Sequence, residues 1–431
     1  MSLVQRHKKK IHQMKTKLFE TGFFHVFGSN IINQVIAFLS GIILVRILSK
    51  AEYGIYSYAY NIINFFLVFN GFGAASGLLQ TCSEVTDRSA QYEYYKLANR
   101  IAFLFDILLV AGLIIVSWKV PFKIEGTNRM LFSMILLPVF TLAFNMKTTY
   151  FRATLKTKEF SYSNTANATI VFLFSCIGAA LFAEIGVSIG QTFAYFLSVL
   201  GITKIFGLPI SIKKPNFSKI VYIDFLKIAT ISAVTSGVSQ IMNMLDVFIL
   251  GILIPNEEVI ATYRVGATIP TALTFIPSVI ITYVYPYFAQ HKDDGKWLKA
   301  QYKQLLMITG VLNVIISFGL IICAPLIIQI LFGKQYLDAV VIFRILSLNY
   351  FFAGTFSGIS GNLLVTQRKL KFNFWRTMLM GGMNCVGNVF FITWWGPIGA
   401  AISTICVNVL SGMAATLKMK SVINCKCRLE Q

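Results

Sequence analysis

Apolar positions in this chain come in long blocks rather than in the two- or four-residue rhythm of soluble strands and helices. Runs of roughly 20 residues with almost no charge recur from end to end, each long enough to cross a bilayer as a helix. They fall near residues 23–45, 56–79, 101–118, 130–147, 166–183, 185–203, 228–254, 259–287, 305–332, 340–365, 378–395 and 397–417. A membrane β-barrel would show short alternating strands instead, and none is legible. The pattern therefore predicts an all-α integral membrane protein with about 12 transmembrane helices.

Two of the apolar blocks carry the same polar stripe. Ser29, Asn30, Asn33, Gln34, Ala37 and Ser40 in the first span are echoed by Thr235, Ser236, Ser239, Gln240, Asn243 and Asp246 in the seventh. The correspondence continues through Leu39/Leu245, Ile43/Ile249, Leu44/Leu250 and Glu52/Glu258 at one constant offset, close to half the chain. Steps of one, three and three residues keep the polar groups on one helix face. In lipid such groups would go unsatisfied, so each stripe is expected to face a cavity or another helix. Later on, Gly186 and Gly190 are echoed weakly by Gly396 and Ala400. The duplication predicts two pseudo-symmetric six-helix lobes of parallel orientation, with a site built between repeats. The expected organisation is a basic cytoplasmic N-terminus (1–22), a first lobe (23–207), a cytoplasmic linker (208–227), a second lobe (228–417) and a cytoplasmic C-terminus (418–431).

Composition agrees with this and settles the meaning of the charge. The chain is 56% hydrophobic and 13% charged, with mean hydropathy +0.69. Its 38 Lys and Arg against 17 Asp and Glu give +21, which in a soluble protein would suggest nucleic acid. Here most basic residues fall in one set of connections, including Lys147, Arg152, Lys213 and Lys214, whereas the other set holds only Arg46, Lys50, Lys119, Lys123, Arg129 and Lys334. That asymmetry is expected to place both termini on the cytoplasmic side and leaves no role for nucleic acid. The seven cysteines are scattered and imply neither a disulfide framework nor a zinc site. The basic N-terminus precedes a long span with no small-residue cleavage site, as an uncleaved first helix would.

Charges inside the spans are few. Asp106 and Arg344 are expected near membrane interfaces, Asp106 on the inner side and Arg344 on the outer. At 1.5 Å per residue, Asp246 lies ~12 Å and Arg264 ~8 Å from the outer ends of consecutive helices. Two readings follow from that similar depth: a buried structural ion pair, or a transport pair in which Asp246 binds a coupling cation and Arg264 meets an anionic substrate group. Asn30, Asn33, Gln34, Asn61 and Asn64, together with Ser236, Ser239, Gln240 and Asn243, would line a substrate cavity; the competing reading is helix-to-helix glue. Pro270 and Pro277 should bend the eighth span. No G-x-x-x-x-G-K-[ST] or H-E-x-x-H is present, and the one G-x-S-x-G string, Gly186 to Gly190, lies within an apolar span rather than at a strand-to-helix elbow. Histidine is limited to His7, His12, His25 and His291, so an enzyme is not expected. No cofactor or metal is expected either, and an ion gradient or the membrane potential would set net direction.

The stretch Leu44-Val45-Arg46-Ile47-Leu48-Ser49-Lys50-Ala51-Glu52-Tyr53-Gly54-Ile55-Tyr56 resembles a motif of the bacterial polysaccharide flippases. These are the O-antigen and capsule repeat-unit transporters of the multidrug, oligosaccharidyl-lipid and polysaccharide exporter superfamily. Asn70-Gly71-Phe72-Gly73, Tyr150-Phe151-Arg152-Ala153 with Lys158, and Ile330 to Tyr336 followed by Arg344-Ile345-Leu346-Ser347 are similar to segments of the same family. The resemblance implies a fold shared with the multidrug exporters, two lobes forming a V with helices one, two, seven and eight around a cavity. It also implies that an oligosaccharide on undecaprenyl pyrophosphate is turned from inner to outer leaflet by alternating access. Membrane lipids, a polysaccharide polymerase and a chain-length regulator would be its partners. On that reading Arg264 suits a pyrophosphate contact, Arg46 sits at the outer mouth, and Ser40 stands where Asp246 occurs in the other repeat. A multidrug cation antiporter of the same superfamily and a membrane polymerase or glycosyltransferase are the alternatives.

Overall fold

The computed structural model describes residues 23–429. Among the described residues every regular element is a helix. Eight helices are long and apolar enough to cross a membrane, or nine if Thr127–Ser133 and Leu137–Ala153, bent by 43° at their junction, count as one span. The protein is thus multi-pass and all-α. The chain forms two compact units, one from residues up to Leu48 and Ala59–Ile241, the other from Ser49–Tyr58 and everything from Met242 onward. The 208–227 segment has no helix until Lys219, where Lys219–Leu253 begins.

In the first unit, Phe23–Ile47 packs along Thr157–Phe206. As one straight rod the latter's 50 residues would measure about 75 Å, more than twice the hydrocarbon thickness. It is not straight. Phe182 (φ −138°, ψ 27°) and Ala183 (φ 49°, ψ −138°) interrupt it, and the two arms fold back on each other. A Cβ on Gly186 would lie 1.9 Å from the Gly178 carbonyl oxygen, and one on Gly190 2.2 Å from that of Phe174. Residues eight apart in a straight helix would be about 12 Å apart. Glycine is what lets the two backbones touch.

The Asn70-Gly71-Phe72-Gly73 motif acquires a physical meaning in the same unit. Gly71, Phe72 and Gly73 all adopt positive φ, which breaks the helix between Lys50–Leu67 and Ala74–Ser83. Asn70 fixes the break by donating to the Pro138 carbonyl (3.0 Å) and to Thr141 Oγ1 (3.1 Å). Phe72 stacks on Phe105 at 4.5 Å. Below it lies a core of Leu97, Ala98, Leu142, Met146 and Phe151. Lys147, expected in a cytoplasmic connection, is instead fully buried. The Leu137–Ala153 helix runs past it, and its ammonium donates to Thr203 Oγ1 (2.6 Å) and to the Leu208 carbonyl. A cation there satisfies carbonyl groups left over where the Thr157–Phe206 helix ends.

In the second unit the Ser49–Tyr56 part of the Leu44–Tyr56 motif becomes a helix start. Ser49 and Glu52 form a reciprocal capping box, Glu52 Oε2 accepting from the Ser49 amide (2.8 Å) and Ser49 Oγ from the Glu52 amide (3.3 Å). Gly54 follows because the helix abuts Glu257, whose carbonyl oxygen would sit 1.9 Å from a Cβ. Lys50 Nζ reaches Asp338 Oδ2 (2.6 Å), which also accepts from Thr262 Oγ1 (2.8 Å). The Ser49-to-Tyr56 and Gly333-to-Asp338 motif segments therefore meet in space. The eighth span breaks between Glu257–Ala272 and Phe275–Gln290, with Pro270 and Pro277 on either side.

Leu370–Trp395 and Pro397–Leu429 make a second tight hairpin about Gly396 (φ 57°, ψ −139°). A Cβ on Gly399 would lie 2.0 Å from the Phe391 carbonyl oxygen. The backbone angles of Gly396 match those of Ala183 within 8°. Gly186 therefore corresponds to Gly399, and the Gly186/Gly396 correspondence read from sequence is off by three residues. In each unit the turn comes three residues before the glycine that contacts the facing arm.

This pairing makes a reciprocal prediction. Ala183 occupies a conformation that disfavours a Cβ, so Ala183→Gly should stabilise the purified protein by about 1 kcal/mol and Gly396→Ala should destabilise it by a similar amount. Thermal melts of the two variants in detergent, each against wild type, check both signs.

Candidate functional site

The most organised polar cluster inside the second unit is centred on Asp246. The hairpin about Gly396 brings Asn388 on one arm and Thr404 on the other, each eight residues from the turn, to the same place. Asp246 Oδ1 accepts from Asn388 Nδ2 (2.6 Å), and Oδ2 accepts from Thr404 Oγ1 (2.7 Å) and the Tyr263 hydroxyl (2.9 Å). Asn388 Nδ2 also donates to Asn384 Oδ1 (3.1 Å). Gly387 leaves room for Ser403, whose Oγ would be 2.6 Å from a Cβ there, and which itself donates to the Asn384 carbonyl (3.3 Å).

The carboxylate is thus held by three hydrogen bonds from neutral donors, and no cation pairs with it among the described residues. Hydrogen bonds to an ionised group are stronger than neutral ones but leave its charge uncompensated. Asn388 is fully buried, and its Oδ1 has no hydrogen-bond partner. Carboxylate, amide and hydroxyl oxygens converge here without nitrogen or sulfur ligands. That is the donor set of a hard cation rather than of zinc or copper. Among the described residues no group of three or more His, Cys, Asp or Glu is placed to hold a metal.

The ion pair between Asp246 and Arg264, one of two readings from sequence, is not formed. Tyr263 is the residue of that helix aimed at Asp246, and its neighbour Arg264 points about 100° away around the helix. Arg264 is half-buried and makes no ion pair among the described residues. Its guanidinium acts on the Tyr53 hydroxyl, which is shared with Ser57 and Thr268. It is a cation whose field is directed into the unit's Tyr53 face.

The remaining sequence-derived positions are distributed as follows. Asn30 and Gln34 are exposed and four apart on Phe23–Ile47; Asn33 is half-buried, its Oδ1 shielded and without a partner. Arg46 is exposed. Asn61 is buried, whereas Asn64 donates to the Tyr60 carbonyl one turn back (2.7 Å). Gln240 is exposed. The side chains of Ser236, Ser239 and Asn243 lie outside the described residues. Arg344 is exposed, with its Nε donating to the Ile321 carbonyl (3.2 Å). Asp106, expected at an interface, is only 1% exposed, because it faces the interior of its unit.

Sequence reasoning missed Asn384, Asn388, Thr404 and Tyr263. The only available signal was the four-residue spacing of Asn384 and Asn388, which puts both amides on one face of an otherwise apolar helix.

The profile of the family described as "Polysaccharide biosynthesis protein" matches residues 43–341. None of the curated proteins matches the chain in sequence. Among solved structures, the fold is similar to that of "Lipid II flippase MurJ" in an inward closed conformation, with TM-score 0.73, 16% identity, and coverage of 92% of this chain and 87% of that one. It is also similar to an inward-facing "multidrug resistance MATE family transporter of the MOP superfamily", with TM-score 0.74, 11% identity, and coverage of 92% and 96%. At these identities the likeness is one of fold: the all-α membrane-transporter fold expected from sequence is found, whereas eight or nine of the expected twelve spans are counted among the described residues.

The cluster makes an energetic prediction. Thr404→Val should destabilise the protein by ~1–3 kcal/mol because it removes a donor from a buried carboxylate. In the Asp246→Asn background the same substitution should cost clearly less, and a double-mutant cycle of thermal stabilities measures the difference.

Proposed function

Because the chain belongs to the family of polysaccharide biosynthesis proteins, we propose that it is a flippase for lipid-linked oligosaccharides. Its cargo on this reading is an oligosaccharide repeat unit on undecaprenyl pyrophosphate, moved from the inner to the outer leaflet of a bacterial plasma membrane by alternating access. The product would feed O-antigen or capsule assembly. The observation that carries the reading is the family match across residues 43–341; the fold likeness to a lipid II flippase supports it. A pyrophosphate with several sugars cannot cross hydrocarbon unaided, so the protein must offer positive charge and hydrogen bonds while the polyprenyl tail stays in lipid.

Each part of the proposed machinery has a residue. Arg264, a cation unpaired among the described residues, meets the pyrophosphate, and Arg46 assists at the outer mouth. Asn30, Asn33, Gln34, Asn61 and Asn64, with Ser236, Ser239, Gln240 and Asn243, contact sugar hydroxyls. Asp246 binds the coupling cation with help from Asn388 and Thr404. Cation binding would displace the hydrogen bonds that Tyr263 and Thr404 make to the carboxylate, and Tyr263 adjoins Arg264 in sequence. Loading the site would therefore shift the segment that carries the headgroup contact. Both termini lie in the cytoplasm, and a polymerase and a chain-length regulator act downstream. The protein performs no covalent chemistry.

The test is genetic and biochemical together. Arg264→Ala should abolish surface polysaccharide in the native host while the protein still reaches the membrane; unchanged polymer would remove Arg264 from headgroup binding. Asp246→Asn should leave the protein folded but uncouple flipping from the ion gradient in reconstituted vesicles, measured as loss of the response to an imposed gradient. If deletion of the protein instead raised sensitivity to cationic drugs and left polymer intact, the multidrug antiporter would be the correct reading.

A further inference from the structure

A second membrane-embedded acid belongs to the first unit, and nothing in the proposed machinery uses it. Asp106 stands in the Arg88–Lys119 helix of the first unit, 1% exposed, with Oδ1 shielded and without a hydrogen-bond partner among the described residues. Tyr95 and Asn99 precede it at spacings of eleven and seven residues, which place all three within about 40° of one helix face. Both are fully buried. The Tyr95 hydroxyl faces the Asn99 amide, and among the described residues no other group answers either of them. In a protein interior such groups nearly always find partners, so this face is a row of largely unmet polar demand about 16 Å long.

Beside Asp106 is a cavity of about 330 Å³ lined by Phe103, Ile107, Val110, Ile114 and Val139. Its walls are aliphatic and aromatic, and the carboxylate is the one ionisable group lining it. A sodium or other metal ion needs several oxygen ligands and would find one residue. A proton needs only the carboxylate itself.

The surroundings contain no fixed counter-charge. The segments packed on this helix are Asn70–Gly73, Ala74–Ser83, Thr127–Ser133 and Leu137–Ala153. Of these, Asn70–Gly73 has no ionisable side chain. Ala74–Ser83 carries Cys82, which is held near Gln91, about 22 Å along the axis from Asp106. Thr127–Ser133 carries Arg129; its neighbour Asn128 bonds the Ser117 carbonyl, about 16 Å away on the other side. Leu137–Ala153 carries Lys147, Tyr150 and Arg152, of which Lys147, the nearest, is about 12 Å along the helix from Val139. On its own helix Arg100 is the closest charge, and it projects from a different face.

We propose that Asp106 is a proton-binding site of the first unit, loaded and unloaded along the Tyr95–Asn99 face. A carboxylate oxygen gains the proton from water reaching that face and returns it the same way, so the site alternates between a neutral acid and an anion. Because it lies in a different unit from Asp246, the protein carries two chemically distinct acids: one ringed by oxygen donors that suit a metal cation, the other set in apolar walls that suit only a proton. The assignment does not depend on the identity of the cargo.

Infrared spectroscopy of the full-length protein in proteoliposomes tests this without any substrate. At mildly acidic pH the wild type should show a protonated-carboxyl stretching band that shifts when water is replaced by D₂O. Asp106→Asn should lose that band, Asp246→Asn should keep it, and Asn99→Leu should slow its exchange. Asp106→Ser gives the same loss should the amide disturb folding, and retained melting behaviour in either variant shows that the loss is local. A band that survives both Asp106 substitutions, fails to exchange in D₂O, or exchanges at the wild-type rate in Asn99→Leu overturns the proposal.

Discussion

Inside a bilayer no solvent is available to satisfy a polar group, so every donor, acceptor and charge must be answered by the protein or by what it carries. This constraint organises the structure at each level. Asp246 is answered by Asn388, Thr404 and Tyr263. Lys147 is answered by Thr203 and the Leu208 carbonyl at the end of a helix. Asn70 holds together a break in a membrane helix by bonding Pro138 and Thr141. Among the described residues, Asp106 Oδ1 and Asn388 Oδ1 are left without such an answer.

The same constraint explains where the helices break. An interrupted membrane helix frees carbonyl and amide groups, so breaks are tolerated only where neighbours supply partners. At Asn70–Gly73 three consecutive positive φ angles are compensated by the Asn70 side chain and by close packing, a Cβ on Gly73 falling 2.1 Å from the Ala229 carbonyl oxygen. Proline flanks the interruption between Ala272 and Phe275 and removes donors that would otherwise be stranded. At Asn70–Gly73, a run that looks arbitrary as a string of letters is a prescription for breaking a helix safely.

Much of the architecture could be read from the sequence because it rests on long apolar runs, a signal summed over some 20 residues at a time. The helix at Lys50 starts ahead of the 56–79 span read from the sequence, because Ser49 and Glu52 cap it before the apolar run begins. Asp246 stood out as an acid in a greasy helix. Its partners did not: Asn388 and Thr404 lie far from it in sequence, and only the hairpin about Gly396 brings them to it. Lys147 was misplaced for a related reason. A lysine near the end of an apolar run is ordinarily taken for a loop residue, and its burial depends on a carbonyl supplied by a helix that ends about 60 residues later, a non-local contact that no window of sequence reveals. The side chains of Ser236, Ser239 and Asn243 fall outside the described residues, and the role given them rests on the stripe alone.

The two tight hairpins, about Ala183 and about Gly396, bear on how the chain enters the bilayer during synthesis. Their arms are joined by a residue or two, too few to leave a loop in water on the far side while one arm waits for the other. Each pair must therefore insert as a single object, its arms shielding one another's backbone from the outset through the contacts at Gly178, Gly186 and Gly399. The topology of four spans is then settled in two events, and neither arm of a pair can be inverted without its mate.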